Sequence, residues 1–205
     1  GYSNLMVALG RAAGLEIVYV VGDTRTMEGE IAGGSHAWNA VRIEDAWYLI
    51  DVTWDAGSEQ DGAFQFKYRT AYLFTPPEVF RSDHRPHKDA WQLAVPISRA
   101  EFARRPRVRP GFVAAGLALA HPARSQITVD DSAELSISNS QSMYVMVQYQ
   151  EGEGDWEKCE VKGDAIISAR CTFPTGGTYS VGIFYGPQRY GSYAFGGQIQ
   201  VNARG

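Results

Sequence analysis

The spacing of apolar residues predicts that the chain begins with a helix and continues into a strand. Within residues 2–13 the apolar side chains form one helical stripe, made of Leu5, Met6, Leu9, Ala12 and Ala13. Gly14 is a suitable end for this helix, because glycine readily adopts the left-handed conformation found after helix C-termini. Residues 16–21 are rich in β-branched side chains, which predicts a buried strand.

A loop and a hairpin are predicted next. Residues 22–34 are polar and rich in glycine, which is typical of a loop. Residues 35–44 and 47–51 then predict two strands, joined by a tight turn at Asp45 and Ala46. The N-terminal part of the chain should therefore place a short sheet directly after the first helix.

Two capping boxes predict short helices later in this part of the chain. Thr75 with Glu78, and Ser98 with Glu101, have the spacing in which a hydroxyl and a carboxylate cap a helix N-terminus reciprocally. The first box also has proline in the first helical turn, where proline is well tolerated. Together with the predicted strands, these helices indicate a mixed α and β region.

The pattern changes near residues 106–111. From Phe112 onward, short strands alternate with turn clusters and the helical period is lost. The apolar positions that alternate along these strands are Ala133, Leu135, Ile137, Met143, Val145, Val147, Tyr149, Tyr179, Val181, Ile183, Tyr185, Ile199 and Val201. We therefore predict two domains, an α+β domain at residues 1–109 and an all-β, immunoglobulin-like sandwich at residues 110–205.

Composition and charge exclude two classes of partner. The chain has 205 residues, of which 44% are hydrophobic, and a formal net charge of −4. This composition is ample for a packed core, and the negative charge gives no general attraction to nucleic acid. No apolar run approaches the roughly 18 residues that span a bilayer. The arginine-rich residues 99–110 include two prolines and predict a solvated interdomain connector.

The chain has neither an initiator methionine nor a signal peptide, so we expect that its numbering begins inside a longer gene product. Its two cysteines, Cys159 and Cys171, flank a predicted hairpin turn at residues 162–164. They form either a cross-strand disulfide, which would favour a secreted or periplasmic location, or two unpaired core thiols. The abundance of alanine, arginine and glycine over lysine suggests a bacterial gene.

Residues 35–54 include the side chains best suited to catalysis. His36 opens one predicted strand and Asp51 closes the next. A thiol hydrolase needs an imidazole that takes the thiol proton and later donates it, and a third group that holds the ring in one tautomer. With the predicted turn, however, Asp51 would pair with Ala40 and lie roughly 13 Å from His36 along a flat ladder. A longer turn, a bulge or strong twist must bring them together.

Ordered blocks of sequence surround these two residues. In chain order they are Gly1-Tyr2-Ser3, His36-Ala37-Trp38-Asn39, Asp51-Val52-Thr53-Trp54, Tyr72-Leu73-Phe74-Thr75-Pro76-Pro77-Glu78, His84-Arg85-Pro86 and Trp91-Gln92-Leu93. The blocks resemble the transglutaminase-like superfamily and, within it, the kyphoscoliosis-peptidase and cytokinesis-protein-like branch. The resemblance covers residues 1 to about 105 and implies a papain-type α+β fold that lacks its N-terminal part here.

The resemblance implies a Cys-His-Asp triad in which His36 is the base and Asp51 orients it. The nucleophilic cysteine would stand two positions before Gly1, where a helix N-terminus favours thiolate over thiol. Trp38, Asn39 and Trp54 are candidates for substrate contact. Core packing of the two tryptophans and a sheet-edge hydrogen bond of the asparagine are the simpler alternatives.

The implied function is that of a cysteine hydrolase, either a peptidase or an amide acyltransferase, which acts on a peptide or protein substrate without a metal or organic cofactor. This chain alone should then be inactive, since neither of its cysteines follows a predicted helix start. The alternative is a non-catalytic scaffold or protein-binding module, whose β-sandwich docks a protein partner and whose His–Asp pair is structural. A fragment left by processing beside the cysteine is a third possibility.

One further cluster, Asp83 with His84 and His87, contains residue types that bind metals. It lies in a polar stretch after the predicted helix at Thr75. We interpret it as a surface loop with a packed His84 and expect no metal there.

Overall fold

The structure is a computed structural model that describes residues 1–25, 31, 34–60 and 62–205. The chain forms two compact units, the first ending at Ser98 and the second beginning at Arg99. Each unit has its own apolar clusters. Among the described residues, no helix is both long enough and apolar enough to cross a bilayer.

The first unit combines short helices with an antiparallel sheet. Its elements are α1 (Tyr2–Ala12), β1 (Glu16–Thr24), β2 (His36–Ile43), β3 (Ala46–Ile50), α2 (Val52–Ala56), β4 (Gly57–Gln60), β5 (Ala63–Phe66), α3 (Pro77–Phe80), β6 (His84–Pro86) and a 3-10 turn (Asp89–Trp91). The sheet has the order β3-β2-β1-β6, and β4 pairs with β5 separately. Strand β1 continues into residues 22–24 of the predicted loop, of which residues 26–30, 32 and 33 lie outside the described residues.

The first helix is present, but it buries a different face from the predicted stripe. Ser3 and Gly10 are the buried residues of α1, whereas Leu5 and Leu9 are 56% and 60% exposed. A Cβ at position 10 would lie 2.9 Å from Cγ2 of Ile17, so the absence of a side chain allows helix and strand to pack closely. Apart from Met6, which packs against the sheet, the predicted stripe is therefore wrong, because the buried face runs through Ser3, Met6, Val7 and Gly10.

The hairpin of β2 and β3 turns one residue earlier than the sequence predicted. The turn consists of Glu44 and Asp45, and Glu44 has a φ of 54° in the left-handed region. Asn39 consequently lies opposite Ile50. The predicted pairing of Ala40 with Asp51 is therefore wrong, since Ala40 lies opposite Leu49. This register determines which residues are level at the ends of the two strands.

The sheet of the first unit packs apolar side chains on both faces. One face carries the cluster of Val20, Trp38, Ala40, Leu49, Tyr72 and Phe80. The other carries Ile17, Val41 and Ile50, with Met6 and Val7 of α1 packed against them. The alternation of strand side chains between faces thus places α1 on one side and the segment around Tyr72 and Phe80 on the other.

The first predicted capping box does not form. The hydroxyl of Thr75 donates to the carbonyl oxygen of Ala71 at 3.0 Å instead of capping a helix. Helix α3 begins after Pro76, which has extended φ and ψ and no side chain able to accept a bond. The short helix is present where it was predicted, but its N-terminus is set by proline rather than by a capping box.

The second unit is built mostly of strands. Its elements are α4 (Arg99–Arg104), β7 (Arg107–Val108), α5 (Pro110–Ala114), β8 (Leu117–His121), β9 (Gln126–Val129), β10 (Ser132–Asn139), β11 (Tyr144–Glu151), β12 (Glu157–Lys158), β13 (Glu160–Lys162), β14 (Ile166–Thr172), β15 (Gly177–Gly186) and β16 (Ala194–Ala203). One sheet has the order β13-β14-β10-β8, the other β12-β11-β15-β16-β7, and β9 pairs with β16.

Inward-facing residues of both sheets share one apolar core, which is the arrangement of a β-sandwich. The predicted alternation is confirmed in β10, where Ala133, Leu135 and Ile137 are buried between more exposed neighbours. The immunoglobulin-like topology remains a prediction. Residues 99–109 belong to this unit, because β7 pairs with β16 and the amide of Ser125 donates to the carbonyl oxygen of Arg104.

The open question about the two cysteines is answered in this unit. Cys159 and Cys171 form a disulfide, with 4.4 Å between their Cα atoms. The bond continues the ladder of β13 and β14, in which Glu160 lies opposite Arg170. Such bonds persist in oxidising compartments. Both cysteines of the sequence are thereby occupied, and neither is a free thiol.

Candidate active site

The ends of three elements converge beside the sheet of the first unit. His36 is the first residue of β2, Asp51 is the N-cap of α2, and His84 is the first residue of β6. In the sheet register, His36 lies opposite Gly22 and His84 opposite Thr24 of the same strand, β1. A single strand therefore brings both histidines to one end of the sheet.

Gly22 is required at this crossing for steric reasons. A Cβ on this residue would lie 2.2 Å from the carbonyl oxygen of Arg85 and 2.4 Å from Cη2 of Trp38. Any side chain would push β6 or the tryptophan away from the sheet. The glycine thus allows the strand of His84 to approach the strand of His36.

The predicted pair of His36 and Asp51 is hydrogen-bonded. Nε2 of His36 lies 2.6 Å from Oδ2 of Asp51. Because Asn39 pairs with Ile50, the next residue, Asp51, is level with Trp38. His36 is two residues beyond that level, about 7 Å along the strand, and the side chains span this distance. The earlier hairpin turn therefore halves the separation along the strand that the predicted register imposed.

Asp51 is buried and fully hydrogen-bonded. Its Oδ1 accepts the backbone N–H groups of Thr53 at 2.9 Å and Trp54 at 3.1 Å, as an N-cap does. Its Oδ2 faces Nε2 of His36 at 2.6 Å and Nε2 of His84 at 3.0 Å. Burial alone would raise the pKa of this carboxyl, but the bonds from His36 and His84 hold it well below its ordinary value.

His84 is a second histidine of the site, although the sequence predicted that it lies in a surface loop. Its side chain is fully buried, as is that of Asp83, and Nδ1 of His84 lies 2.7 Å from Oδ1 of Asp83. Burial alone would lower the pKa of His84, but the negative charge of Asp83 and the bond to Asp51 raise it. The surface-loop interpretation is therefore wrong, although the expected packing of His84 is correct.

Tyr72 completes the network behind His84. Its hydroxyl donates to Oδ2 of Asp83 at 2.6 Å. Its backbone is fixed as well, because its N–H donates to the buried carboxylate of Asp55 at 3.0 Å and its carbonyl oxygen accepts the N–H of Asp51. Tyr72 and His84 both occur in the sequence blocks described above, but a block does not reveal which of its side chains meet.

The predicted substrate-contact residues have different surroundings. Trp38 and Asn39 are fully buried, and the amide of Asn39 donates to the carbonyl oxygens of Ser3 and Val18. Trp54 is partly exposed, and its ring centroid lies 5.5 Å from that of His36. A substrate-binding role for the three residues stays a prediction, and Trp54 is the one that solvent reaches most readily.

A pocket of about 240 Å³ adjoins His36. It is also bordered by Gly1, Tyr2 and Ser3 at the N-terminal end of α1, and by Thr53 of α2. His36 has 22% of its side chain exposed, whereas Asp51 has none. Among the described residues, Nε2 is the only ring nitrogen of His36 with a hydrogen-bonding partner, so Nδ1 remains available for a group in the pocket.

The same side chains could also hold a metal ion. One donor atom from each of His36, Asp51 and His84 lies within 4.8 Å of the others. In the structure these atoms are joined to one another by hydrogen bonds, and the ring of His84 is additionally held by Asp83. The arrangement thus satisfies the donors without a metal, and we treat it as a hydrogen-bonded network.

The sequence of this chain is similar to those of known proteins. Residues 1–52 match the family model described as the transglutaminase-like superfamily. Kyphoscoliosis peptidase from Mus musculus and its counterpart from Homo sapiens are each 34% identical over 148 residues, which cover 68% of this chain and 22% of the relative. Hillarin from Drosophila melanogaster is 28% identical over 109 residues, which cover 47% of this chain and 13% of hillarin.

The chain thus spans about a fifth of the length of the two peptidases. All three relatives are animal proteins, so they do not confirm the bacterial origin that the composition suggested. The matched region includes both His36 and Asp51.

Proposed function

Because this chain belongs to the transglutaminase-like superfamily, in the branch of kyphoscoliosis peptidase, we propose that it is part of a cysteine hydrolase acting on peptide or protein amides. The observation that carries the proposal is the bond of 2.6 Å between His36 and the buried Asp51. A base that must keep one tautomer when neutral and be stabilised when positive needs such a carboxylate. Because the mouse and human relatives are named as peptidases, we favour hydrolysis over transfer to an amine.

The nucleophile is proposed to be a cysteine two positions before Gly1. This places the thiol at the N-terminal end of α1, where the helix dipole favours thiolate. The pocket between this end of α1 and His36 then lies where the scissile amide would bind. The two cysteines of the chain are joined in a disulfide in the second unit, so they do not supply the thiolate.

The proposed reaction divides amide hydrolysis into two steps. The thiolate forms a bond to the amide carbonyl carbon, and His36 donates a proton to the nitrogen as the carbon–nitrogen bond breaks. Water then attacks the thioester while His36 accepts its proton, which releases the acid and regenerates the thiolate and imidazolium. Asp51 stabilises the imidazolium in the resting pair and keeps Nε2 protonated throughout. No metal or organic cofactor takes part.

The second unit and Trp54, the partly exposed aromatic residue beside His36, have supporting roles in the proposal. Trp54 would form part of the wall against which the substrate lies, since it is partly exposed and 5.5 Å from His36. Trp38 and Asn39 are fully buried and would affect substrate binding indirectly. Trp38 packs beside His36, and Asn39 donates a hydrogen bond to Ser3 at the pocket. The sandwich would position the substrate or a protein partner.

The experiment uses the full-length protein with its natural residues before Gly1. We expect iodoacetamide to alkylate one upstream cysteine rapidly at neutral pH and to abolish hydrolysis of peptide amides. His36→Gln should lower kcat by at least about 1000-fold, because the thiolate loses its proton partner. His121→Gln, which changes an exposed histidine of the second unit, is the matched control.

Two results would contradict the proposal. If the residue two positions before Gly1 is not cysteine, the hydrolase hypothesis is wrong and a protein-binding scaffold becomes the better explanation. If a cysteine is there but His36→Gln leaves hydrolysis unchanged, the assigned base is wrong. The 205-residue chain by itself is expected to show no hydrolysis.

A further inference from the structure

A continuous chain of hydrogen bonds extends from His36 into the interior of the first unit. Behind Asp51 it passes through His84, at 3.0 Å, to Asp83, at 2.7 Å, and on to the hydroxyl of Tyr72, at 2.6 Å. The side chains of Asp51, His84 and Asp83 are fully buried, while His36 is partly exposed. The network therefore opens to solvent at the His36 end.

Counting protons along this chain assigns a charge to His84. Ionised carboxylates only accept hydrogen bonds, and each ring nitrogen of His84 faces a carboxylate oxygen. Both nitrogens must therefore carry protons, which makes the ring an imidazolium between two anions. The raised pKa of His84 and the lowered pKa of Asp51 both favour the charged forms of this assignment. Within the part of the chain that the structure describes, the titratable groups recorded against His84 are Asp51, Asp83, Tyr72 and His36.

Aromatic rings surround this buried cation. The ring centroids of Phe80 and Trp54 lie 4.2 Å and 4.4 Å from that of His84, and those of Tyr72 and Trp38 lie at 5.1 Å. These rings pack around the imidazole and exclude water from it, which holds the ring in place. Its positive charge is balanced by the carboxylates of Asp51 and Asp83.

We propose that His84 is a positioning residue of the proposed hydrolase site: as an imidazolium anchored by Asp83 and Tyr72, it fixes the carboxylate of Asp51 in the orientation that receives Nε2–H of His36. The backbone of α2 anchors only Oδ1 of Asp51. His84 is what anchors Oδ2, the oxygen to which His36 is bound. Without it, the carboxylate could rotate about its Cβ–Cγ bond.

The inference rests on the proposed function for its catalytic meaning, but it can be tested in this chain without a nucleophile. With ¹⁵N-labelled histidine, we expect three downfield imidazole N–H protons that exchange slowly with water: two from His84 and one from Nε2 of His36. In His84→Gln, two signals disappear, and the His36 proton exchanges about tenfold faster because its acceptor is no longer fixed. An unchanged exchange rate in the folded variant would overturn the proposal.

If His84→Gln does not fold, substitutions of the two residues behind His84 test the same proposal. Asp83→Asn retains an acceptor for Nδ1–H of His84 but removes the negative charge, so the second His84 proton should be lost at lower pH than in the wild type. Tyr72→Phe removes only the hydroxyl and should shift the Nδ1–H resonance. Tyr179→Phe, which deletes another buried tyrosine's bond to Thr175, is the control and should leave all three signals unchanged.

In the full-length enzyme, Asp83→Asn and Tyr72→Phe are expected to lower kcat while KM stays the same, since His84 acts through Asp51 and not on substrate. A rise in KM with unchanged kcat would contradict a positioning role. An absence of any hydrolysis in the wild type would refute the proposed function, while the exchange of the His36 proton would still decide whether His84 positions Asp51.

Discussion

The two units of this chain are stabilised by different kinds of interior. In the second unit, both sheets contribute to one apolar core, and Arg107 and Asn139 are the buried polar residues among its described positions. The first unit instead has two smaller apolar clusters and buries Asp51, Asp83 and His84 beside them. Buried charges rarely improve stability over apolar packing. Their presence in one unit and scarcity in the other fits the proposal that the chemistry belongs to the first unit.

The largest expected effect comes from removing the buried cation. His84→Leu leaves Asp51 and Asp83 buried without the positive partner between them, so the first unit should lose about 3–5 kcal/mol of its free energy of unfolding. Urea unfolding followed by tryptophan fluorescence in a Trp156→Phe background would measure this, because the other four of the five tryptophans, Trp38, Trp47, Trp54 and Trp91, lie in the first unit.

The same substitution also tests the comparison itself. In His84→Leu, the urea midpoint for unfolding of the second unit, followed by its backbone amide signals, should be the same as in the wild type. His121→Leu, at an exposed position of β8, should change neither unit by more than about 0.5 kcal/mol. A stability equal to the wild type in His84→Leu would show that the buried charges are not mutually stabilised.

The second largest effect belongs to the disulfide of the second unit. Replacing both Cys159 and Cys171 by alanine should lower the free energy of unfolding of that unit by about 3 kcal/mol, as expected for a bond between residues 12 positions apart. Circular dichroism of the strand signal during urea unfolding would measure the loss. The tryptophan transition of the first unit should stay where it is, and an equal shift in both units would contradict independent interiors.

The apolar half of this comparison is the part that sequence could predict. Alternation along β10 and β15 identifies inward-facing residues correctly, because each side chain there faces either the core or water. The identity of His36 and Asp51 came from ordered blocks. Neither depends on the fine register of a turn.

The remaining errors have physical causes that a residue pattern does not contain. In the hairpin turn at Glu44 and Asp45, Glu44 has a positive φ. Glutamate rarely adopts this conformation, so the sequence does not predict the turn at this position. The role of His84 depends on pairing between β6 and β1, whose residues are distant in sequence. A polar segment around a histidine is indistinguishable from a surface loop until that pairing is known.

A smaller effect is expected from pH. The raised pKa of His84 means that its contribution is fully present below about pH 6.5, its unfolded value, and is lost as the pH rises through the folded value. Between these limits the folded state retains a proton that the unfolded state has released. The free energy of unfolding of the first unit should therefore fall by about 1.4 kcal/mol per pH unit.

Urea midpoints measured by tryptophan fluorescence between pH 6 and pH 9 would give this slope. His84→Gln, which cannot titrate, should show a flatter profile over the same range. A wild-type slope of opposite sign would mean that His84 is neutral in the folded state, and the second unit should show no comparable slope.

The smallest effect distinguishes the predicted face of α1 from the observed one. Leu9 belongs to the predicted stripe but is 60% exposed, so Leu9→Ala should change the stability of the first unit by no more than about 0.5 kcal/mol. Met6, on the same helix, packs against the cluster of Ile17, Val41 and Ile50, and Met6→Ala should cost about 1–2 kcal/mol. Alanine favours the helix in both variants, which leaves packing as the difference. Tryptophan fluorescence in urea would resolve the pair, and a larger loss from Leu9→Ala would restore the predicted stripe.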